Sequence, residues 1–271
     1  MNESEPKLLE FLCQHMVALC VTYWHCNEAG PIGEPLFFVC PGTIIYIRGV
    51  SAFLTAGHTL KDWTEALHQH KVRVISAVLA DTFGLERVTN QPIPFDFINE
   101  PRIYIDEEAE GLDFGLIYLR PYYVQLLKSN GIKLIFEENW IHQHAVKFDA
   151  YFMLGLPDEL MQPPKIDISH GKLLAEVSPT LIPLTRLDHA PAGSETRRPR
   201  FVGKLNPNLQ IDSILGMSGG PILGFRFGPP MEYWVVAIQS SWIRKDRITF
   251  GCPIPVLAEL IAAEFDRLEE K

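Results

Sequence analysis

The segment Gly216–Pro221 (GMSGGP) constrains the fold of this 271-residue chain more than any other stretch. Glycines on both sides of Ser218 permit the positive φ angles and close backbone approaches of a tight turn. Such a turn can aim successive backbone N–H groups at one point beside the serine Oγ, which is how an oxyanion hole is built. A Gly-Pro loop that merely contains a serine is the simpler alternative. A catalytic role for Ser218 therefore requires partner residues elsewhere in the chain.

The positions of the histidines decide between two folds that hold a serine in such a turn. A serine nucleophile needs a base within hydrogen-bond reach, and the base needs an acid that orients it. All nine histidines precede Ser218. The G-x-S-x-G elbow of α/β-hydrolases, which GMSGG also fits, requires the order serine, acid, histidine. Pro221 also stands where the helix of that elbow would begin. Both facts exclude that fold and leave the order histidine, acid, serine.

Short strand-like runs fill most of the chain. The 21 prolines and 19 glycines, spread along the sequence, suit many short strands and turns better than long helices. Strands are predicted at 15–24, 36–40, 43–48, 52–55, 71–79, 85–90, 102–105, 112–119, 147–154, 171–177, 180–184, 200–204, 234–242 and 247–251, and helices at 6–14, 61–70, 121–130 and 253–270. We expect an all-β chain of two lobes with a C-terminal α-helix. The expected divisions are an N-terminal extension (1–14), a first half with the histidine and the acid (15–125), and a second half with the serine (126–271).

Composition excludes several classes of function. The net charge of −9, from 24 basic and 33 acidic residues, argues against a nucleic-acid partner. The N-terminus is acidic where a signal peptide would be basic, and the apolar run that follows is interrupted and too short to span a bilayer. The five cysteines form no CxxC pair. We therefore expect reduced thiols, a cytoplasmic location and no membrane partner.

Three short segments stand in the order histidine, aspartate, serine: Thr55–His58 (TAGH), Asp113–Leu116 (DFGL) and Gly216–Pro221. They resemble the Thr-Ala-Ala-His, Asp-Ile-Ala-Leu and Gly-Asp-Ser-Gly-Gly-Pro motifs of the trypsin/chymotrypsin-like serine peptidases. The intervals between them suit one set of strands between each pair. The resemblance extends over nearly the whole chain, because the C-terminal helix is also a feature of that family.

The resemblance implies a fold of two antiparallel six-stranded β-barrels of chymotrypsin type, with the site in the cleft between them. It implies that His58 is the general base and acid, Asp113 its orienting partner and Ser218 the acyl-forming nucleophile. The backbone N–H groups of Gly216 and Ser218 would form the oxyanion hole. The expected partner is a protein or peptide substrate, and the family chemistry needs no cofactor.

Two residues depart from the motifs of secreted members. Met217 stands where those members carry the carboxylate that receives the freed N-terminal ammonium on zymogen cleavage, and Thr59 stands where they carry a disulfide cysteine. Methionine cannot make that ion pair. We therefore expect an enzyme that is not activated by N-terminal processing, and a closer resemblance to the bacterial-type intracellular branch.

The residues of a specificity pocket are less well defined by the sequence. Asp212 lies six residues before the serine, an offset at which trypsin-like members carry the aspartate that selects Arg or Lys. A surface turn is the alternative for this residue. Ser240 and Trp242 lie in a segment that resembles the substrate-pairing strand, and Trp242 or Ile243 could narrow the entrance. Cleavage after Arg or Lys is thus an expectation that depends on Asp212.

The sequence leaves three further interpretations open. The basic segment 185–208 reads as a mobile, exposed loop with a short strand at its end. A catalytically inactive relative that keeps the fold as a peptide-binding or scaffold module is the alternative function. The histidine pairs His68/His70 and His142/His144, and His25 beside Cys26, lack the companions of a zinc site, so no metal is expected.

Overall fold

The computed structural model describes residues 4–81, 83, 91–137, 147–161, 165–167, 172–174, 178–209 and 211–269. Its strands are β1 (Val17–Asn27), β2 (Gly30–Ile47), β3 (Val50–Thr55), β4 (Val72–Ala80), β5 (Ile93–Pro94), β6 (Arg102–Glu107), β7 (Leu112–Tyr118), β8 (Ile135–Phe136), β9 (Ala150–Gly155), β10 (Lys165–Asp167), β11 (Lys172–Leu174), β12 (Thr180–Arg186), β13 (Phe201–Leu205), β14 (Pro221–Arg226), β15 (Glu232–Ile243) and β16 (Ile248–Pro253). Its α-helices are α1 (Ser4–Leu12), α2 (Gly57–His68), α3 (Pro121–Ser129) and α4 (Ile254–Glu269). No helix in these ranges is both long enough and apolar enough to cross a membrane.

The strands of the first half form an eight-stranded sheet in the order β5-β4-β1-β2-β3-β7-β6, with β8 paired in parallel to β2. Strand β2 is 18 residues long and joins the two parts of this sheet, since it pairs with β1 along its first part and with β3 along its last. The sequence predicted two separate strands here, at 36–40 and 43–48. The chain instead continues as one strand from Gly30, and a register shift between Tyr23 and His25 lets its pairing with β1 continue.

The strands of the second half form a closed antiparallel barrel in the order β12-β13-β16-β15-β14-β9. The sequence did not predict β14, which begins at Pro221, directly after the Gly216–Pro221 motif reaches its last residue. Strand β14 pairs with both β15 and β9. The serine-bearing turn therefore leads straight into a barrel strand that is held on both sides.

The expected all-β class with a C-terminal α-helix is confirmed. The barrel of the second half has the expected six strands. The first half differs in detail from a closed six-stranded barrel, because it has eight strands and, in the described residues, its end strands β5 and β6 do not pair. The predicted strand at 85–90 lies outside the described residues.

One apolar core joins the two halves. It contains buried side chains of the first half such as Leu54 and Phe114, and of the second half such as Leu223. Leu12, at the end of α1, and Ile254, at the start of α4, belong to the same cluster. Burial of this shared surface stabilises the arrangement of the two halves around the cleft. The division into 1–14, 15–125 and 126–271 stays a prediction.

His15, just after α1, connects this end of the chain to the second half. Its Nδ1 is 3.1 Å from the carbonyl oxygen of Lys133, and its Nε2 is 2.6 Å from the hydroxyl oxygen of Tyr233. The imidazole is only 7% exposed. Burial lowers the pKa of His15 from 6.5 to about 4, although the hydrogen bond to the Lys133 carbonyl opposes that shift.

We predict that His15 makes the protein less stable as the pH falls from 6.5 to about 4. In this window the unfolded chain binds a proton at His15 and the folded chain does not, so stability is complete above pH 6.5 and is lost below it. The loss amounts to about 3 kcal/mol. Urea unfolding at pH 7 and pH 4, compared between wild type and His15→Gln, measures it. His189→Gln, at an exposed histidine, is the control that should behave as wild type. Identical pH dependence in wild type and His15→Gln would contradict the assignment.

Candidate active site

His58 and Asp113 meet because two glycines allow the start of α2 to approach β7. A Cβ at Gly57 would collide with the backbone of Phe114 and with the carbonyl oxygen of Ile105. A Cβ at Gly115 would collide with the carbonyl oxygen of Ala56. The glycines in TAGH and DFGL are thus required for close packing. The predicted helix at 61–70 in fact begins at Gly57, which places His58 in its first turn.

Asp113 holds His58 at two points. Its Oδ2 is 2.8 Å from Nδ1 of His58, and its Oδ1 accepts the backbone N–H of His58 at 2.8 Å. The carboxylate therefore caps the N-terminus of α2, where Ala56 provides no side-chain cap. The positive end of the helix dipole adds a favourable electrostatic interaction at this position. Asp113 is 8% exposed, so the interaction takes place largely out of water.

The environment of His58 raises the pKa of its imidazole above 6.5. Burial by itself lowers this pKa, but the hydrogen bond and the negative charge of Asp113 outweigh it, with further contributions from Asp106 and Asp62. The side chain of His58 remains 38% exposed. One ring nitrogen is thus held by Asp113 while the imidazole keeps access to the cleft.

The Ser218 turn has two glycines in the left-handed region. Gly216 has φ of +86° and Gly219 has φ of +93°. A Cβ at Gly219 would collide with Thr55 Oγ1 and with the carbonyl oxygen of Pro41, so the turn packs directly against the strand that leads to His58. A Cβ at Gly216 would collide with the carboxylate of Asp158. Both glycines are needed for backbone angle and for space.

Some backbone N–H groups of this turn donate hydrogen bonds within the protein and others do not. Those of Met217, Gly219 and Gly220 donate to the carbonyl oxygens of Ile214, Gln239 and Met217, respectively. Those of Gly216 and Ser218 donate to no acceptor in the described part of the chain. These two N–H groups are the ones that the sequence assigned to an oxyanion hole.

Strand β15 fixes the turn in place. Gly219 donates to the carbonyl oxygen of Gln239, and Gln239 donates to that of Gly220, both at 2.9 Å. The next residue of β15, Ser240, accepts a hydrogen bond from Ser218 Oγ at 3.4 Å. The hydrogen bonds of the described residues include none between Ser218 and His58. The structure thus joins His58 to Asp113 directly, and it brings the Ser218 turn against the Thr55–Ala56 backbone that precedes His58.

A cavity of about 270 Å³ lies beside the His58–Asp113 pair. Its wall is formed by His58, Asp106, Glu108, Gly111, Leu112, Asp113, Arg200, Ser240, Ser241 and Cys252. The candidate substrate-binding residue Ser240 is therefore at the cavity, whereas Ser218, Asp212 and Trp242 do not line it. The wall combines residues of both halves of the chain, as a substrate cleft requires.

Asp212 lies on the surface. Its side chain is exposed, and its backbone N–H and that of Ser213 donate to the carboxylate of Glu159. This position matches the surface-turn interpretation better than the base of a pocket. Trp242 is partly buried and packs against the apolar cluster that contains Ile214.

Met217 is completely buried in the second-half core and packs against Gly155, where an added Cβ would collide with its side chain. The position that carries an acidic residue in the resembling motif is therefore filled by an apolar side chain in an apolar environment. Met217 therefore cannot form the ion pair with a freed N-terminus that the acidic residue of that motif forms.

The segment between β12 and β13 differs from the expected free loop. The backbone N–H groups of Arg197 and Arg198 donate to the carbonyl oxygens of Ala109 and Glu110, at 3.2 and 3.1 Å. The Arg197 guanidinium also pairs with the Glu110 carboxylate at 3.3 Å. This segment of the second half therefore docks on the connection between β6 and β7. The predicted short strand at its end is β13.

The remaining candidate ligands are the histidine pairs and the cysteines. His142 and His144 lie outside the described residues. In the residues that the structure covers, no three His, Cys, Asp or Glu side chains cluster as metal ligands would. All five cysteines are free thiols, and every one except Cys26 is buried.

The sequence did not single out three residues that help to build the site. Gln239 fixes the serine turn, Cys252 donates to the carbonyl oxygen of Gly111 at 3.2 Å, and Arg200 forms part of the cavity wall. Arg200 was visible only as one of several basic residues in a loop. Neither its neighbours nor its spacing distinguished it from Arg197 and Arg198.

We predict that Asp113→Asn lowers the pKa of His58. The hydrogen bond and charge of Asp113 raise this pKa, and the burial that lowers it would remain in the variant. NMR titration of the imidazole protons measures the change. Asp212→Asn, an exposed carboxylate, serves as the control and should leave the titration of His58 in place. An unchanged pKa in Asp113→Asn would show that the two side chains do not interact in solution.

We predict that Gly219→Ala destabilises the protein more than Gly193→Ala. Both residues have positive φ, but a Cβ at Gly193 meets no atom within 4 Å, whereas one at Gly219 collides with backbone and with Thr55. Gly193→Ala should therefore cost about 1 kcal/mol for its backbone angle. Gly219→Ala should cost about 1–3 kcal/mol more for overpacking. Denaturant unfolding gives both values, and equal losses would mean that the turn is not packed against Thr55.

The comparisons with known proteins show no family for this chain. No known protein family matches the chain, and no curated protein matches it. Among 66 matching chains of solved structures is one described as "Structure of Glu endopeptidase in complex with MPD". It is 14% identical, with a TM-score of 0.44 over 91% of this chain and 89% of that chain. Neither activity nor residue preference is transferred at that similarity, and the intracellular branch stays a prediction.

Proposed function

We propose that this chain is a serine endopeptidase that hydrolyses peptide bonds through an acyl-enzyme on Ser218. The observation that carries the proposal is the two-point contact of Asp113 with His58, at 2.8 Å from each oxygen. A glycine-rich turn with two unused N–H groups, those of Gly216 and Ser218, packs against Thr55, three residues before His58. A structural histidine would need only one hydrogen-bond acceptor, whereas a catalytic one needs a fixed tautomer and orientation.

The proposal gives each side chain a role. With Asp113 accepting from Nδ1, the other ring nitrogen of His58 takes the proton from Ser218 Oγ as that oxygen attacks the substrate carbonyl carbon. The same proton then passes to the leaving amine as the C–N bond breaks. Water repeats the sequence and releases the carboxylic acid. The raised pKa of His58 reflects an environment that stabilises the imidazolium formed in each step.

The N–H groups of Gly216 and Ser218 supply the second part of the proposal. They would donate to the oxyanion that forms on the substrate carbonyl oxygen, and each such donor contributes about 3 kcal/mol to the transition state. Because Gly216 and Gly219 fix the backbone angles, these donors need no rearrangement when substrate binds. The two N–H groups are thus held in position by glycines whose side chains take no part in the reaction.

One observation favours a second candidate function, a non-catalytic peptide-binding module. Ser218 Oγ donates to the Ser240 carbonyl oxygen rather than to His58. Reaction would require the Ser218 hydroxyl to exchange this acceptor for the imidazole of His58. Catalytic hydrogen bonds are also often absent in unliganded enzymes and form with substrate. The peptidase is therefore the better supported function, and labelling of the serine distinguishes the two.

The remaining parts of the proposal concern activation, location and residue preference. The buried Met217 supports an enzyme that needs no N-terminal cleavage for its serine turn to form. Free thiols persist in a reducing compartment, so we propose a cytoplasmic protein. A preference for Arg or Lys set by Asp212 stays a prediction, and the exposed position of that side chain does not support it.

We predict that a fluorophosphonate probe labels the wild-type protein at Ser218. Ser218→Ala should abolish labelling, and His58→Ala should slow it strongly because the hydroxyl loses its base. Ser213→Ala, five residues away in the same loop, is the matched control and should label as wild type. Intact-mass and peptide mass spectrometry give the extent and the position of the label. Absence of labelling in a folded wild-type protein would favour the binding module instead.

A further inference from the structure

Arg200 contributes an unneutralised cation to the wall of the candidate cleft. Its guanidinium carbon lies 4.2 Å from the centroid of the Phe250 ring, and its Nη2 donates to the carbonyl oxygen of Ser194 at 2.9 Å. Its Nε is buried and has no hydrogen-bond partner in the described part of the chain. None of the ion pairs found there involves Arg200. Neither the ring nor the carbonyl carries a full negative charge.

The other charges of the cavity wall are mostly paired. Asp106 accepts from Lys61 Nζ at 2.7 Å, and Asp113 accepts from His58. Glu108 is exposed at the wall and forms no ion pair with Arg200 among the described residues, although its negative charge opposes the lowering of the Arg200 pKa by burial. A ligand that enters the cavity therefore meets a guanidinium that has no anionic partner. Partial burial of an arginine without such a partner costs free energy that a ligand carboxylate would recover.

The docked segment holds Arg200 in position. The backbone bonds from Arg197 and Arg198 to the β6–β7 connection lie two or three residues before it, and β13 begins directly after it. The main chain is thus fixed on both sides of Arg200. A guanidinium held this way presents its planar set of donors with little loss of entropy on binding.

We propose that Arg200 binds a carboxylate side chain of the peptide substrate, so that the peptidase prefers an acidic residue at the substrate position that occupies this cavity. The proposal rests on the proposed peptidase function and names the substrate class of the same site. Arg200 contacts substrate in this account and is a specificity-determining residue. Ser240 and Ser241 line the same cavity.

The test is a set of fluorogenic peptides that carry Glu, Gln or Lys at each position in turn around the scissile bond. At one position the wild type should cleave the Glu peptide with a kcat/KM at least about tenfold above that of the Gln peptide, as a charge-assisted hydrogen bond provides. Arg200→Ala should bring this ratio to about one, because it removes a contact that the Glu peptide makes and the Gln peptide does not. Arg200→Lys should retain part of the preference, since it keeps the charge but not the planar donors.

Two matched variants separate this role from a structural one. Arg197→Ala removes a neighbouring arginine whose side chain is 79% exposed, and it should keep the wild-type ratio. Glu108→Gln removes the acidic group beside the cavity and should increase the ratio. The rate of fluorophosphonate labelling in Arg200→Ala reports whether the catalytic site is intact. If the alanine variant does not fold, the Glu-to-Gln ratio and the labelling rate are measured in Arg200→Lys instead.

The outcomes that overturn the proposal differ from those that overturn the function. A labelled, active enzyme with equal rates on Glu and Gln peptides, or with a preference for Lys, overturns the role of Arg200 alone. An undiminished Glu preference in Arg200→Ala does the same. A folded wild-type protein that cleaves no peptide and takes no fluorophosphonate overturns the peptidase function and this inference with it.

Discussion

The site depends on the contact between the Asp113 carboxylate and the first turn of α2. One carboxylate oxygen caps the helix through the backbone N–H of His58, and the other holds the imidazole of the same residue. Helix position and ring orientation are therefore set by a single buried group. Substitution of Gly57 or Gly115 would separate the two elements and remove both functions together.

The second half supplies the serine turn by a different physical means. Glycine backbone angles, tight packing on Thr55, the buried side chain of Met217 and reciprocal hydrogen bonds to Gln239 hold the turn. Since the turn contacts the segment just before His58, the two halves must keep their relative position to better than the size of a methyl group. The shared apolar core and the hydrogen bonds of His15 to Lys133 and Tyr233 provide that rigidity.

The sequence predicted the pairing of His58 with Asp113, which the structure places in contact, better than it predicted the surroundings of that pair. His58, Asp113 and the Gly216–Pro221 turn were found from order and motif, because the glycine requirements of close packing leave a local signature. Asp212 shows the opposite case, since its role depended on loop lengths that one sequence does not encode, and the structure places it on the surface.

The same limit applies to contacts between distant segments. Basic residues without periodicity predicted a free loop, whereas Arg197 pairs with Glu110 across the cleft. The long strand β2 was read as two strands because its glycines look like a break. In each case tertiary hydrogen bonds, which are invisible locally, replaced the expected turn or loop.

The central claim is that His58, Asp113 and Ser218 act as one unit, and the pH dependence of serine phosphonylation tests it most directly. The rate of fluorophosphonate inactivation should rise with pH along the same curve as the NMR titration of His58, with a midpoint above the 6.5 of an ordinary histidine. In Asp113→Asn both curves should move to lower pH together, and the maximal rate should fall. An inactivation rate that does not change while His58 titrates would contradict the account, because the serine would then react without its proposed base.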